Sequence, residues 1–157
     1  MKARPYAALV AAFLLVVGTA PLAGCAHLVV LHDPLTASEH SDLGVAYEST
    51  GELGHAASEY RHALRVEPHR AGTRVNLGNV EAARGRWRRA EKCYRRALRD
   101  SSTDADAMNN LAIALLKQRR KLDEARELAE SAVSRGGGQD SLYRSTLDDI
   151  QSAPPRK

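Results

Sequence analysis

An interval of 34 residues recurs along the chain and restricts what it can fold into. Leu43-Gly44, Leu77-Gly78 and Leu111-Ala112 are separated by it, as are Gly51 and Gly85, Ala56 and Ala90, Tyr60 and Tyr94, and Ala63 and Ala97. Each copy holds two apolar segments of helical period with a turn between them. Small residues at Gly44, Gly78, Ala112, Ala56, Ala90 and Ala125 let paired helix axes approach to ~8–10 Å. One pair alone leaves an apolar face that only the next pair covers, so the units must stack. Aromatics are only 4% of the chain, and the abundant Ala, Leu and Arg favour helices over sheets.

The periodicity predicts helices at about 37–50, 53–66, 71–84, 87–99, 105–118 and 122–134. Thr36 and Glu39 have capping-box spacing for the first. Gly51 and Gly85 suit helix-ending turns, and the third copy has one extra residue near Arg119-Arg120-Lys121. Gly136-Gly137-Gly138 breaks the pattern. Asp140 is then placed to cap a last helix carrying Leu142, Tyr143, Leu147 and Ile150, which suits the polar-faced cap a repeat array needs. The resulting organisation is repeats at 37–70, 71–104 and 105–138, a capping helix at 139–151 and a loose tail at 152–157.

The order Leu-Gly, aromatic, Ala, aromatic, Ala, Pro resembles the tetratricopeptide repeat (TPR) signature. The first copy meets it with Leu43, Gly44, Tyr47, Ala56, Tyr60, Ala63 and Pro68; the second has Glu81 in place of the first aromatic and Ser102 in place of the proline. The resemblance implies an all-α helix-turn-helix solenoid of about three repeats plus a C-terminal capping helix. It also implies that the first helix of each pair lines a concave groove. That groove would include Ser41, Asp42, Val45 and Glu48, then Val75, Asn76, Asn79 and Ala83, then Asp106, Asn109, Asn110, Ile113 and Lys117. Amides there both donate and accept, which suits the backbone of an extended peptide. Chaperone-binding TPRs hold a C-terminal carboxylate with Lys and Arg in this groove. Ser41, Val45, Asp106 and Asn110 stand at matching places here, so that clamp is not expected.

Residues 1–24 have the order of a secretory signal: Lys2 and Arg4, an apolar run from Ala7 to Val17, then small residues and a proline. The run is too short for a bilayer span, which needs ~20 apolar residues. Leu22-Ala23-Gly24-Cys25 resembles the lipobox of bacterial lipoproteins. The resemblance implies cleavage before Cys25, diacylglycerol on its sulfur and acylation of its amino group, with residues 25–36 as a tether. Two or three acyl chains anchor stably where one does not. Ala26 follows the cysteine where an Asp would favour retention at the inner membrane, so the expected location is the outer membrane, facing the periplasm. With Cys25 acylated, Cys93 has no intramolecular partner, and two cysteines do not make a disulfide scaffold.

Other candidate chemistry is sparse. His55, Glu59 and His62 share one helical face, where they could meet a metal or simply be solvated. Cys93 sits on a helical stripe with Trp87, Ala90, Ala97 and Leu98 that reads as core, and no motif places a base to activate it. Phosphate loops, serine elbows and metalloprotease helices are absent from the sequence, so no catalytic residue, cofactor or small-molecule substrate is expected. Between Arg84 and Arg99 eight cations stand against Glu91 alone. Arg88, Lys92, Arg95, Arg96 and Arg99 share an outer face that would be solvated, or would meet anionic lipid or an acidic protein. Export disfavours nucleic acid. The expected function is a membrane-anchored, non-catalytic adaptor that binds protein or extended peptide while assembling or stabilising a cell-envelope complex. An accessory subunit of an exported enzyme such as a peptidase, and a metal-binding envelope protein, are the alternatives.

Overall fold

The computed structural model describes residues 35–136 and 140–154. The signal segment, Cys25, most of the tether, Gly137-Gly138 and the last three residues lie outside them, and the Asp140 side chain is likewise not described. The described residues form seven helices, in order α1 Ala37–Ser49, α2 Leu53–Val66, α3 Ala71–Ala83, α4 Trp87–Asp100, α5 Ala105–Lys117, α6 Leu122–Arg135 and α7 Asp140–Gln151. Every end falls within one residue of its sequence expectation. The described residues contain no strand, and none of their helices is long and apolar enough to cross a membrane.

Local chemistry sets the ends. Thr36 and Glu39 form the expected capping box, with the Glu39 amide donating to Thr36 Oγ1 at 3.2 Å and the Thr36 amide donating to Glu39 Oε2 at 2.8 Å. Asp104 caps α5 through the Ala107 amide at 2.9 Å. The turns inside the three repeats are the same device. The Glu52, Arg86 and Arg120 amides donate back to the carbonyls of Tyr47, Glu81 and Leu115, closing each first helix with a Schellman motif. Gly51 and Gly85 supply the left-handed residue at φ 78° and 71°. The third repeat has no glycine there. Arg119 takes φ 48° instead, and the extra residue brings Lys121 to φ 50° as well.

Packing explains the repeat signature. The Tyr60 ring lies flat against Gly44, where an added Cβ would stand 2.5 Å from ring carbon, and Tyr94 covers Gly78 in the same way. The third repeat changes both partners together: Ala112 replaces the glycine and Ala129 the tyrosine, and both are fully buried. A tyrosine returns at the end of the array, where Tyr143 of α7 packs with Met108 and Ala132. Its ring is so close to Gly136 that a side chain there would collide with it.

Each helix packs on its sequence neighbours. Beyond that, first helices also meet first helices: α3 touches α5, α5 touches α7, and Ser41 Oγ bonds Thr73 Oγ1 at 2.9 Å between α1 and α3. The second helices α2, α4 and α6 scarcely meet one another. Close spacing on one side and wide spacing on the other curve the stack, with α1, α3 and α5 on the inner side.

Candidate functional site: the inner face and the outer cleft

The inner face is threaded by tyrosine hydroxyls that reach through from α2, α4 and α7. Tyr60 donates to Glu48 Oε2 at 2.9 Å and lies within hydrogen-bonding reach of Asn76. Tyr94 donates to Asn79 Oδ1 at 2.9 Å, and Tyr143 to Asp106 Oδ1 at 2.7 Å. Burial pushes each phenol above its ordinary value, and for Tyr60 and Tyr143 the adjoining carboxylate adds to the shift; Tyr143 reaches about 12. All three therefore stay neutral donors at physiological pH.

Asn79 Oδ1 also accepts from Asn110 Nδ2 at 3.1 Å, joining the second and third repeats. Asn76, Asn79, Asn110 and Ile113 are half-buried on this face and Lys117 is exposed. The asparagines thus do structural work, while the Asn79 amide NH2 and the Asn110 carbonyl keep their capacity to bond a ligand. Asn109 is a correction: it is 1% exposed and lies inside the array rather than in the groove. It sits 34 residues after Val75, which is itself 8% exposed, and that repeat position turns inward. One residue is a rotation of about 100° on a helix, enough to separate Asn109 from Asn110.

The histidine face does not gather. Glu59 turns to His40 of α1, with Oε2 2.8 Å from Nδ1, and the His62 ring lies 5.1 Å from that of His40. His55 faces Glu52 at 3.0 Å and the Tyr47 ring. Among the described residues no group of three His, Cys, Asp or Glu side chains could hold a metal ion.

The basic segment divides between two joints. Arg95 is held between α4 and α6, with Nε 3.1 Å from Glu91 Oε1 and its guanidinium forked onto Glu124 at 2.5 and 3.1 Å. The hydrogen bonds from Arg95, helped by Lys121, lower the Glu124 carboxyl to about 2. Gln118 Nε2 adds a bond to Glu91 Oε2 at 2.9 Å. Arg95 therefore leaves the solvated face to which its sequence position assigns it. Arg88, Lys92, Arg96 and Arg99 remain exposed.

The joint between α2 and α4 stays open. Two adjoining clefts of about 670 and 480 Å³ run along it, sharing Arg61, Leu77, Cys93 and Arg96. Glu81, at the repeat position of an aromatic, lines the smaller cleft, is 3% exposed and pairs with Arg61 at 2.7 Å and Arg86 at 3.5 Å. Asp100 binds Arg74 at 2.8 Å and His69 at 2.9 Å; the bond from His69, then that from Arg74, holds its carboxyl below the usual range. Cys93 is half-buried against the core cluster that contains Tyr60, Leu77 and Val80, and burial pushes its thiol up, the opposite of nucleophile activation. Sequence reasoning placed Cys93 in a core stripe but gave no sign of this cleft, because it depends on how far apart α2 and α4 lie.

Residues 75–140 match the family model described as tetratricopeptide repeat. The fold is that of a TPR helical solenoid, with about three repeats and a final helix. It is similar to the TPR2B domain of yeast Sti1 in complex with pHsp70 (TM-score 0.70, 16% identity, 73% of this chain and 95% of that one). It is also similar to the first TPR of Spaghetti (RPAP3) bound to the HSP90 peptide SRMEEVD (0.69, 17%, 73% and 90%) and to the Sgt2 TPR domain of Aspergillus fumigatus (0.68, 18%, 77% and 86%). No curated protein matches the sequence.

Proposed function

We propose that the protein is a non-catalytic adaptor, tethered by lipid at Cys25 to the outer membrane of a bacterial envelope, that holds an extended segment of a partner protein along its inner face. The observation that carries the binding role is the Asn79–Asn110 amide pair beside Ile113 and Lys117, on the side where the first helices converge. Two of the similar structures hold peptides or partners of the Hsp90 and Hsp70 type. Here Asp106 is engaged by Tyr143 and Asn110 by Asn79, and no cation replaces them, so the segment is read through its backbone rather than through a terminal carboxylate. Helping to assemble or stabilise an envelope complex is the role such an adaptor would serve.

A photocrosslinker at Lys117 tests the groove in intact cells. A discrete protein adduct should form, vanish with Asn79→Ala/Asn110→Ala and persist with His55→Ala/His62→Ala, with helicity checked in each variant. Loss confined to the histidine variant would reverse the assignment. Anchoring is tested by intact mass: the mature wild type should carry acyl chains at Cys25 and Cys25→Ala should carry none. An unmodified Cys25 in the mature protein would remove the tether from this reading.

A further inference from the structure

The two joints between second helices are built on the same plan, but one partner differs in the sign of its charge. Arg61 and Arg95 occupy equivalent positions, 34 residues apart. Across α4 and α6, Arg95 meets Glu124. The third repeat carries one extra residue, so the counterpart of Glu124 on α4 is Arg89, 35 residues earlier, as Ala90 corresponds to Ala125. Where the second joint closes on an ion pair, the first brings Arg61 and Arg89 to one cleft. Arg61 turns instead to buried Glu81 below it. The two clefts hold nine Arg and Lys side chains against two carboxylates, Glu81 and Asp100, and both carboxylates are already engaged. Among the described residues no carboxylate pairs with Arg65, Arg89, Lys92, Arg96 or Arg99.

We propose that this outer cleft between α2 and α4 is a second binding site, for an extended acidic segment of a partner protein whose carboxylates alternate with apolar side chains. Arg89, Lys92, Arg96 and Arg99 recur along one face of α4 at spacings of three and four residues. They cover about 15 Å of helix at ~1.5 Å per residue, which is the length of four to five extended residues. Leu64, Leu77 and Cys93 line the cleft between the cations and would receive the apolar side chains. A recessed apolar lining fits a peptide strand better than a bilayer surface, whose head groups would meet only the projecting cations. Arginine forks pair with carboxylates in two-point contacts. The site is separate from the inner face and does not depend on it.

The test uses the full chain and a capped octapeptide alternating Leu and Glu, with its Leu–Gln twin as control. The acidic peptide should bind, weaken as salt rises, and slow alkylation of Cys93, read by the mass of the fragment containing it. Arg65→Gln/Arg96→Gln should weaken binding at least tenfold without lowering the denaturation midpoint, since neither residue holds an internal ion pair. Arg89→Glu recreates the charge pairing of the second joint. It should raise the midpoint, close the cleft on Arg61 and abolish peptide binding. Equal binding of the Gln twin, binding indifferent to these substitutions, or unchanged Cys93 alkylation at saturation would overturn the proposal. So would protection of Cys93 by phosphatidylglycerol vesicles with none by the peptide, which would make the cleft a lipid-facing surface.

Discussion

At the scale of single residues, the repeat is held by glycine–tyrosine contacts. Gly44 and Gly78 are required because a ring occupies the space of their missing side chains. Gly44→Ala or Gly78→Ala should overpack these contacts and cost ~1–3 kcal/mol in chemical denaturation. The same change is already present at Ala112, where the partner has shrunk to Ala129, so Tyr60→Ala should reduce the penalty of Gly44→Ala in a double-mutant cycle. An unchanged penalty would refute the pairing. Backbone strain gives a change of the opposite sign. Arg119 holds the left-handed conformation that glycine holds in the other two repeats, at a cost of ~1–2 kcal/mol for a residue with a side chain. Arg119→Gly should therefore raise the denaturation midpoint, a gain in unfolding free energy of up to ~1 kcal/mol after the greater chain entropy of glycine is counted.

At the scale of elements, α4 and α6 are joined by the Arg95–Glu91–Glu124 group. Glu124 is lowered from its ordinary 4.5 to about 2 in the fold. A depressed carboxyl contributes stability that is fully present above pH 4.5 and is lost as pH falls through 2. The pair is about one-third exposed, so solvent screening limits the contribution to ~1 kcal/mol. Glu124→Gln should be less stable than wild type by about that amount at neutral pH, and the difference should vanish near pH 2. A difference that persists in acid would assign the effect to packing instead. Helix placement was legible from period, caps and Gly51 and Gly85, which are local properties. The destination of Arg95 was not: a cation on a polar face reads as solvated until the neighbouring helix is placed beside it. Asn109 was misread for a related reason, since one residue of rotation decides between groove and core.

At the scale of the whole molecule, the array must end as well as repeat. Helix α7 covers the last pair with Tyr143 and Ile150, both 2% exposed, while its Asp148 and Asp149 face solvent. Tyr143→Ala should remove a buried ring and cost ~3–5 kcal/mol. Tyr143→Phe should cost ~1 kcal/mol, by losing the bond to Asp106 alone. Because repeats contact only their neighbours, the larger lesion should loosen the third repeat first, seen as early loss of amide-exchange protection in α5 and α6 while α1 and α2 stay protected. Uniform loss of protection would mean that the array unfolds as one unit.

The sequence by itself determined the helices of the described residues and their pairing, because 3.6-residue periodicity, capping side chains and small-residue spacing act over one or two turns. It also carries the Leu-Ala-Gly-Cys segment on which the proposed anchor rests. Only the tertiary structure decided which polar side chains remain available. Asn79 was already engaged by Tyr94 and Asn110, Glu59 by His40, Glu81 by Arg61, and Arg95 by Glu124. Those partners lie between 15 and 31 residues away in sequence, and they meet only after the pairs have stacked. The open cleft has the same origin: the cations are visible in the sequence, but the gap between α2 and α4 exists because the first helices converge and the second helices diverge.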